Sequence, residues 1–231
     1  MSNQEKDTKL SEIRKLQYKM INSFNQVPKE GKEVEWFGKK FLVHKEVFWP
    51  SNDSLTMVEK FKIKKGETVL DVCTGSGNIA IISAYLGAKK VIGVDISPNA
   101  IKCAIENAKN HGFSKIIEFR LGNALEPLKP DEKFDVITIN PPFTNVCVES
   151  FAEKTIFNGD LKLYQDFFSK VNDYLNPSGR IYITQASFGA FKEMKHLAKK
   201  SGFSVKKINE KVMTDIPRAY YAFELHRKLS K

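Results

Sequence analysis

The sequence predicts an α/β protein: a doubly wound, mostly parallel sheet of seven strands, preceded by an N-terminal helix and a β-hairpin. Three observations lead there. From Leu55 onward, apolar runs of strand length alternate with stretches of helical period, the pattern of successive βα units. The run Thr68 to Val72 enters a glycine turn, Cys73-Thr74-Gly75-Ser76-Gly77, that leads into the apolar helical stretch Ile79 to Leu86. A second apolar run, Phe134 to Ile139, stops abruptly on Asn140-Pro141-Pro142-Phe143.

Leu10, Ile13, Leu16 or Gln17, Met20, Ile21 and Phe24 recur at helical spacing, so an amphipathic helix is expected to end before Pro28. Such a stripe more often packs on the body than recognises a ligand, and cover of a substrate mouth is the alternative. Val34 to Trp36 and Lys40 to Val43 form a hairpin around Phe37-Gly38-Lys39. Residues 1–50 thus read as an extension to a main domain of residues 51–231.

Within that domain follow helix Leu55 to Phe61, strand Thr68 to Val72, helix Ile79 to Leu86, strand Val91 to Val94 and helix Asn99 to Asn110. Strands Ile116 to Arg120 and Phe134 to Ile139 come next, then a long helix from Leu161 to Leu175. Strand Arg180 to Thr184 follows the Pro177-Ser178-Gly179 turn, and helix Ala190 to Lys200 precedes two closing strands, Ser204 to Ile208 and Ala219 to His226. These last two are joined too closely for a crossover helix, so they should pair antiparallel.

Composition excludes several classes. A chain of 231 residues with 42% hydrophobic content can bury one substantial core. No run of about 18 apolar residues suggests a membrane span, and Met1 to Asp7 lacks a signal-peptide core, so a cytoplasmic location is expected. Cys73, Cys103 and Cys147 are too scattered for a disulfide framework, and His44, His111, His196 and His226 have no ligand spacing, so no metal is expected. The net charge of +10 comes mainly from Lys, with Arg only at positions 14, 120, 180, 218 and 227. A solvated lysine face is the plain reading, and RNA or an acidic partner the other.

Ligands of such sheets bind outside the carboxyl ends of the strands, which places Asp71 to Gly77, Asp95-Ile96, Asn123-Ala124 and Asn140 to Phe143 on one rim. Gly75 and Gly77 let backbone approach a ligand, and Asp95, at the end of the second strand, suits the two hydroxyls of a ribose. The Asn140 side-chain carbonyl and the Pro141 backbone carbonyl can accept both hydrogens of a planar NH2 group while Phe143 stacks on it. Two prolines stiffen that turn and remove two donors, although an Asn-Pro-Pro turn also serves as plain strand-ending punctuation. Gly75, Gly77 and Ala80 fit a nicotinamide-dinucleotide fingerprint too. Against it stand Asp71, which would repel a pyrophosphate and suits a cationic amino group, the NH2 clamp, and the lack of a His or Lys beside a hydride site.

With these residues the chain resembles the class I S-adenosylmethionine-dependent methyltransferases, of Rossmann-like fold, in the branch that methylates planar nitrogens. Val69 to Ile81 looks like the cofactor loop of the release-factor glutamine methyltransferases, and Asn140 to Phe143 matches their Asn-Pro-Pro-aromatic signature, with Phe for the more usual Tyr. Phe41 to Val43 and Val47 to Ser54 are similar to that family's hairpin and proline-containing segment. The resemblance implies S-adenosylmethionine as cofactor: Asp95 on the ribose, Ile96 and Ala124 flanking adenine, Asn123 near its amine, and Asp71, Thr74, Gly75 and Gly77 around the methionine portion. Asn140, Pro141 and Phe143 then serve catalysis, with Asn140 also facing the cofactor.

The implied acceptor is a protein glutamine. A base in RNA or DNA, adenine N6 or guanine N2, is the alternative, since the same signature occurs in such enzymes. A small metabolite and a catalytically silent cofactor-binding subunit are the remaining readings. About 30 residues precede the hairpin, too few for the family's helical docking domain. Cys147 to Asp160 is expected to form a lid or specificity loop, with Phe151 and Phe157 as candidate contacts.

Overall fold

A computed structural model describes residues 3–144, 151–154, 156–157 and 161–228. Helix α1 (Asn3–Asn25) is followed by a hairpin of β1 (Lys32–Trp36) and β2 (Lys39–Val43). Trp36 pairs with Lys39, so the turn has two residues rather than three, and both Phe37 (φ 51°) and Gly38 (φ 65°) take the left-handed conformation such a tight turn requires.

The main sheet has the order β5-β4-β3-β6-β7-β9-β8. Its strands are β3 (Thr68–Val72), β4 (Lys90–Asp95), β5 (Ile117–Leu121), β6 (Phe134–Ile139), β7 (Leu175–Ala186), β8 (Phe203–Met213) and β9 (Arg218–Arg227). The first five run parallel, whereas β9 is antiparallel to β7 and β8 to β9, as the short connection demanded. Helices α2 (Asn52–Val58), α3 (Asn78–Tyr85), α4 (Pro98–Asn110), α6 (Lys162–Lys170) and α7 (Phe191–Lys200) cover the faces, with a short α5 (Phe151–Lys154) before α6. One core gathers Leu70, Ile92, Ile137 and Ile183 with Phe167, Phe168 and Met194. The opposite face packs Val69, Val91 and Val136 on Met57, Ile81 and Phe41. Strand residues therefore alternate between two buried faces.

The helix expected to reach Leu175 stops at Lys170, and a single 3-10 turn, Val171–Asp173, intervenes. Leu175 instead opens β7, paired with Phe134, and the ladder resumes only at Val136 with Arg180. Asn176 to Gly179 bulge out between those pairs, where a proline with no N–H can be accommodated.

The chain leaves β5 at one edge and returns beside β3 as β6, so the strand order reverses between β3 and β6. A crevice opens at such a point. Val72 and Ile139 are register partners there, which sets the glycine turn and the Asn-Pro-Pro-Phe turn side by side.

Candidate active site

A cleft of about 410 Å³ lies over that switch point, within the roughly 300–1,000 Å³ span of small-molecule sites. Thr74, Gly75, Asp95, Ile96, Asn123 and Ala124 line one end of it, and Asn140 to Phe143 the other.

At the glycine-turn end the loop is tied to itself. Asp95, where β4 ends, accepts the Gly75 N–H through Oδ2 and the Ser97 N–H through Oδ1, both at 2.9 Å. Each oxygen keeps a further lone pair for a ligand hydroxyl. Burial pushes this carboxyl above its usual range, against those two backbone bonds. Ile96 stays 46% exposed, a large apolar side chain open to a flat partner. Ala124 adopts φ 49°, and Asn123 Nδ2 reaches Glu126 Oε1 at 3.4 Å in a turn rather than at a helix start.

Two of the expected site residues stand back from the cleft wall. Asp71 is fully buried and is not among the lining residues; its carboxylate accepts the hydroxyls of Thr74 at 2.7 Å and Thr138 at 2.8 Å. In this arrangement it anchors the turn from beneath. Desolvation lifts its carboxyl to about 6. Gly77 also lies off the cleft wall: a Cβ there would stand 3.0 Å from Ala104 Cβ and 3.2 Å from Phe119, and φ is +79°. Its smallness serves the packing of α4 and β5, while Gly75 is the glycine that faces the cleft. Cys73 lines the cleft at φ 60°, but burial pushes its thiol well up, leaving a neutral filler.

The other end is held from afar. Asn140 leaves β6 with its Oδ1 accepting the Thr184 hydroxyl from β7 and its Nδ2 donating to Asp53 Oδ2 at 3.2 Å. Both edges of the amide are thereby fixed, and Oδ1 retains one lone pair. Asp53, in the first turn of α2, also accepts the Ser51 hydroxyl at 2.5 Å and the Ser54 N–H at 2.7 Å. Only 3% exposed, it has its carboxyl pushed up by burial. The Phe143 ring lies 6.4 Å from Phe188 and 6.1 Å from Tyr220, and these two rings are 6.3 Å apart. Three aromatic rings thus wall this end, beside Arg218, whose Nε donates to the Tyr220 hydroxyl.

Sequence reasoning missed Asp53, Thr184, Phe188 and Tyr220, and it also missed Asn78. Asn78 borders the cleft at the start of α3, with its Nδ2 sealed from solvent and without a partner among the described residues. Its signal was a polar residue at the head of an otherwise apolar helix. Helix α1 also reaches the cleft through Ile13, Leu16, Gln17 and Met20, so it covers the mouth as well as packing. Phe157 lines the cleft and is 2% exposed. Cys147 and the Phe151 side chain lie outside the described residues, as does most of the expected lid. No helix among the described residues is long and apolar enough to cross a membrane.

Residues 63–226 match the family described as "Methyltransferase domain". A Methanocaldococcus jannaschii protein, provisionally named a protein N5-glutamine methyltransferase, is 33% identical over 178 residues, covering 74% of this chain and 88% of that one. The release factor glutamine methyltransferase of Borreliella burgdorferi is 31% identical over 184 residues, covering 74% of this chain and 63% of its own length. Among solved structures, the T. thermophilus 16S rRNA N2 G1207 methyltransferase, in complex with AdoMet and guanosine, superposes with a TM-score of 0.64 at 19% identity. That superposition covers 86% of this chain and 50% of the other, and it establishes the fold.

Proposed function

The chain belongs to the methyltransferase-domain family, and on that premise we propose that it methylates the planar side-chain nitrogen of a glutamine in a protein. It is an S-adenosylmethionine-dependent methyltransferase. The observation that carries a planar NH2 acceptor is the Asn140 amide, locked by Thr184 and Asp53 at the tip of β6 beside the glycine turn. The names of its relatives support glutamine as that acceptor.

The glycine-turn end fits the cofactor. Asp95 would take the ribose hydroxyls, Ile96 and Ala124 would flank adenine, and Asn123 would sit near its amine. Thr74 and Gly75 would hold the methionine portion, with Asp71 acting through Thr74. When bound, S-adenosylmethionine supplies a methyl on positively charged sulfur, open to in-line displacement by a lone pair.

Asn140 Oδ1 and the Pro141 carbonyl accept the two N–H hydrogens of the acceptor, and this turns its lone pair toward the donor. Phe143, Phe188 and Tyr220 exclude water from that end. Transfer from a sulfonium would create no new net charge, so the dry wall made by these rings would leave it unharmed, and alignment by Asn140 and Pro141 would supply most of the acceleration. Once methylated, the nitrogen would be cationic and strongly acidic, and its proton would pass to water at the mouth of the cleft. Asp53 is therefore a positioning residue rather than a base.

A base in RNA or DNA is the second reading, favoured by the three rings that could stack on it. Transfer of tritiated methyl into lysate fractions separates the two. Label lost to protease and resistant to nuclease supports glutamine, and the reverse pattern sinks it.

A further inference from the structure

Gln17 is a polar residue on an apolar wall. The other α1 residues that line the cleft, Ile13, Leu16 and Met20, are hydrophobic, yet Gln17 is 6% exposed. Its Nε2 donates to Thr144 Oγ1 at 2.7 Å, across 127 residues of sequence and immediately beyond Phe143. That bond fixes the plane of the amide and uses one of its two N–H hydrogens. Among the described residues, apart from the bond to Thr144, no hydrogen bond ties the rest of this amide, so Nε2 has a second N–H at the acceptor end of the cleft.

We propose that Gln17 is a specificity-determining residue that reads the carbonyl beside the methylated nitrogen, so that the cleft selects a carboxamide over an amine lacking that carbonyl. The inference rests on the glutamine reading above. A carboxamide brings two N–H hydrogens and one C=O into the cleft. Asn140 and Pro141 take the hydrogens, and the desolvated carbonyl then needs a donor. At this end Asn140 directs its own Nδ2 at Asp53, and Arg218 directs Nε at Tyr220 and Nη1 at Asp215 and the Ile216 carbonyl, which leaves Arg218 Nη2 as the rival donor. Gln17, oriented by Thr144, presents an amide edge of matching shape.

The alternative is that Gln17 only pins α1 to the turn, and two substitutions separate these roles. Gln17→Leu removes both the pin and the donor. Gln17→Glu keeps the pin, because the Thr144 hydroxyl can donate to a carboxylate, but it has no N–H to offer. The probe is a library of short peptides, each with one internal glutamine, with total RNA in parallel. Calorimetric binding of S-adenosylmethionine and the melting temperature report folding. Both variants should raise the acceptor KM by about 3- to 10-fold, the value of one hydrogen bond, with kcat and donor affinity near wild type. Gln17→Glu behaving as wild type overturns the inference and leaves the glutamine reading standing. Wild-type enzyme that labels RNA and no peptide overturns both.

Discussion

At the glycine-turn end of the cleft, Asp71, Thr74, Gly75 and Asp95 bond to one another over sequence separations of 3 and 20 residues. At the other end, Asn140 is held by Asp53, 87 residues away, and by Thr184, 44 residues away, while Gln17 reaches Thr144 from a distance of 127. The first end is built mainly around one βαβ unit, with Thr138 of β6 bracing Asp71 from 67 residues away. The second exists only when α1, α2, β6, β7 and β9 have all docked. Donor binding should therefore be robust to changes elsewhere in the chain, and acceptor alignment should be the property that fails first.

Substitutions can test this division, beginning with the largest effect. Asn140→Ala should lower kcat by about 10²–10³, the scale of a lost transition-state contact, while calorimetry finds donor affinity within a few-fold of wild type. Equal loss of both would merge the two ends into one unit. Asp71 comes next, through pH. Its native carboxyl titrates at about 6, above the ordinary value of about 3.9, so the native state keeps a proton that the unfolded chain has already released. Stability from this group is full below about pH 4 and falls as pH rises toward 6, by up to roughly 3 kcal/mol. Asp71→Asn should lack that slope when urea midpoints are compared across the window, and a shared slope would clear Asp71 of the effect.

Asp53→Ala strips Asn140 Nδ2, the Ser51 hydroxyl and the Ser54 N–H of a partner. Turnover should fall by about 30-fold, as buried donors left unsatisfied imply, with donor affinity preserved; a drop in donor binding instead would place Asp53 at the wrong end. The smallest change is expected from Asp95→Ala. Donor affinity should weaken by about tenfold for the lost charge-assisted bonds, measured against an unchanged acceptor KM.

The same division explains what could be read from the chain alone. Thr68 to Val72 and Phe134 to Ile139 were legible because strands buried on both faces are continuous apolar runs that end on sharp turns. The glycine turn was legible because its glycines and its nearest partners, Thr74 on Asp71 and Gly75 on Asp95, lie within one βαβ unit. Asp53 was not, since Ser51-Asn52-Asp53-Ser54 reads locally as a helix start, which it also is, and its second task depends on a contact with β6. Thr184 looked like any β-branched strand residue. Gln17 was an ambiguity in a stripe, settled only by where α1 docks. The helix expected through Leu175 failed because Val171, Tyr174 and Leu175 continue the helical spacing of Tyr164, Phe167 and Phe168 past the end of α6.

Asn107 carries a consequence beyond the cleft. This buried side chain on α4 accepts the Leu42 N–H at 2.8 Å, donates to the Leu42 carbonyl at 2.7 Å, and donates to the Ser76 carbonyl at 2.9 Å. One amide therefore clasps the hairpin and the glycine turn in the same grip. Quieting the turn with a ligand should damp openings of the hairpin as well, so the Leu42 amide should exchange with deuterium more slowly once the donor is added. The small N-terminal sheet would then act as an outlying gauge of what the crevice holds.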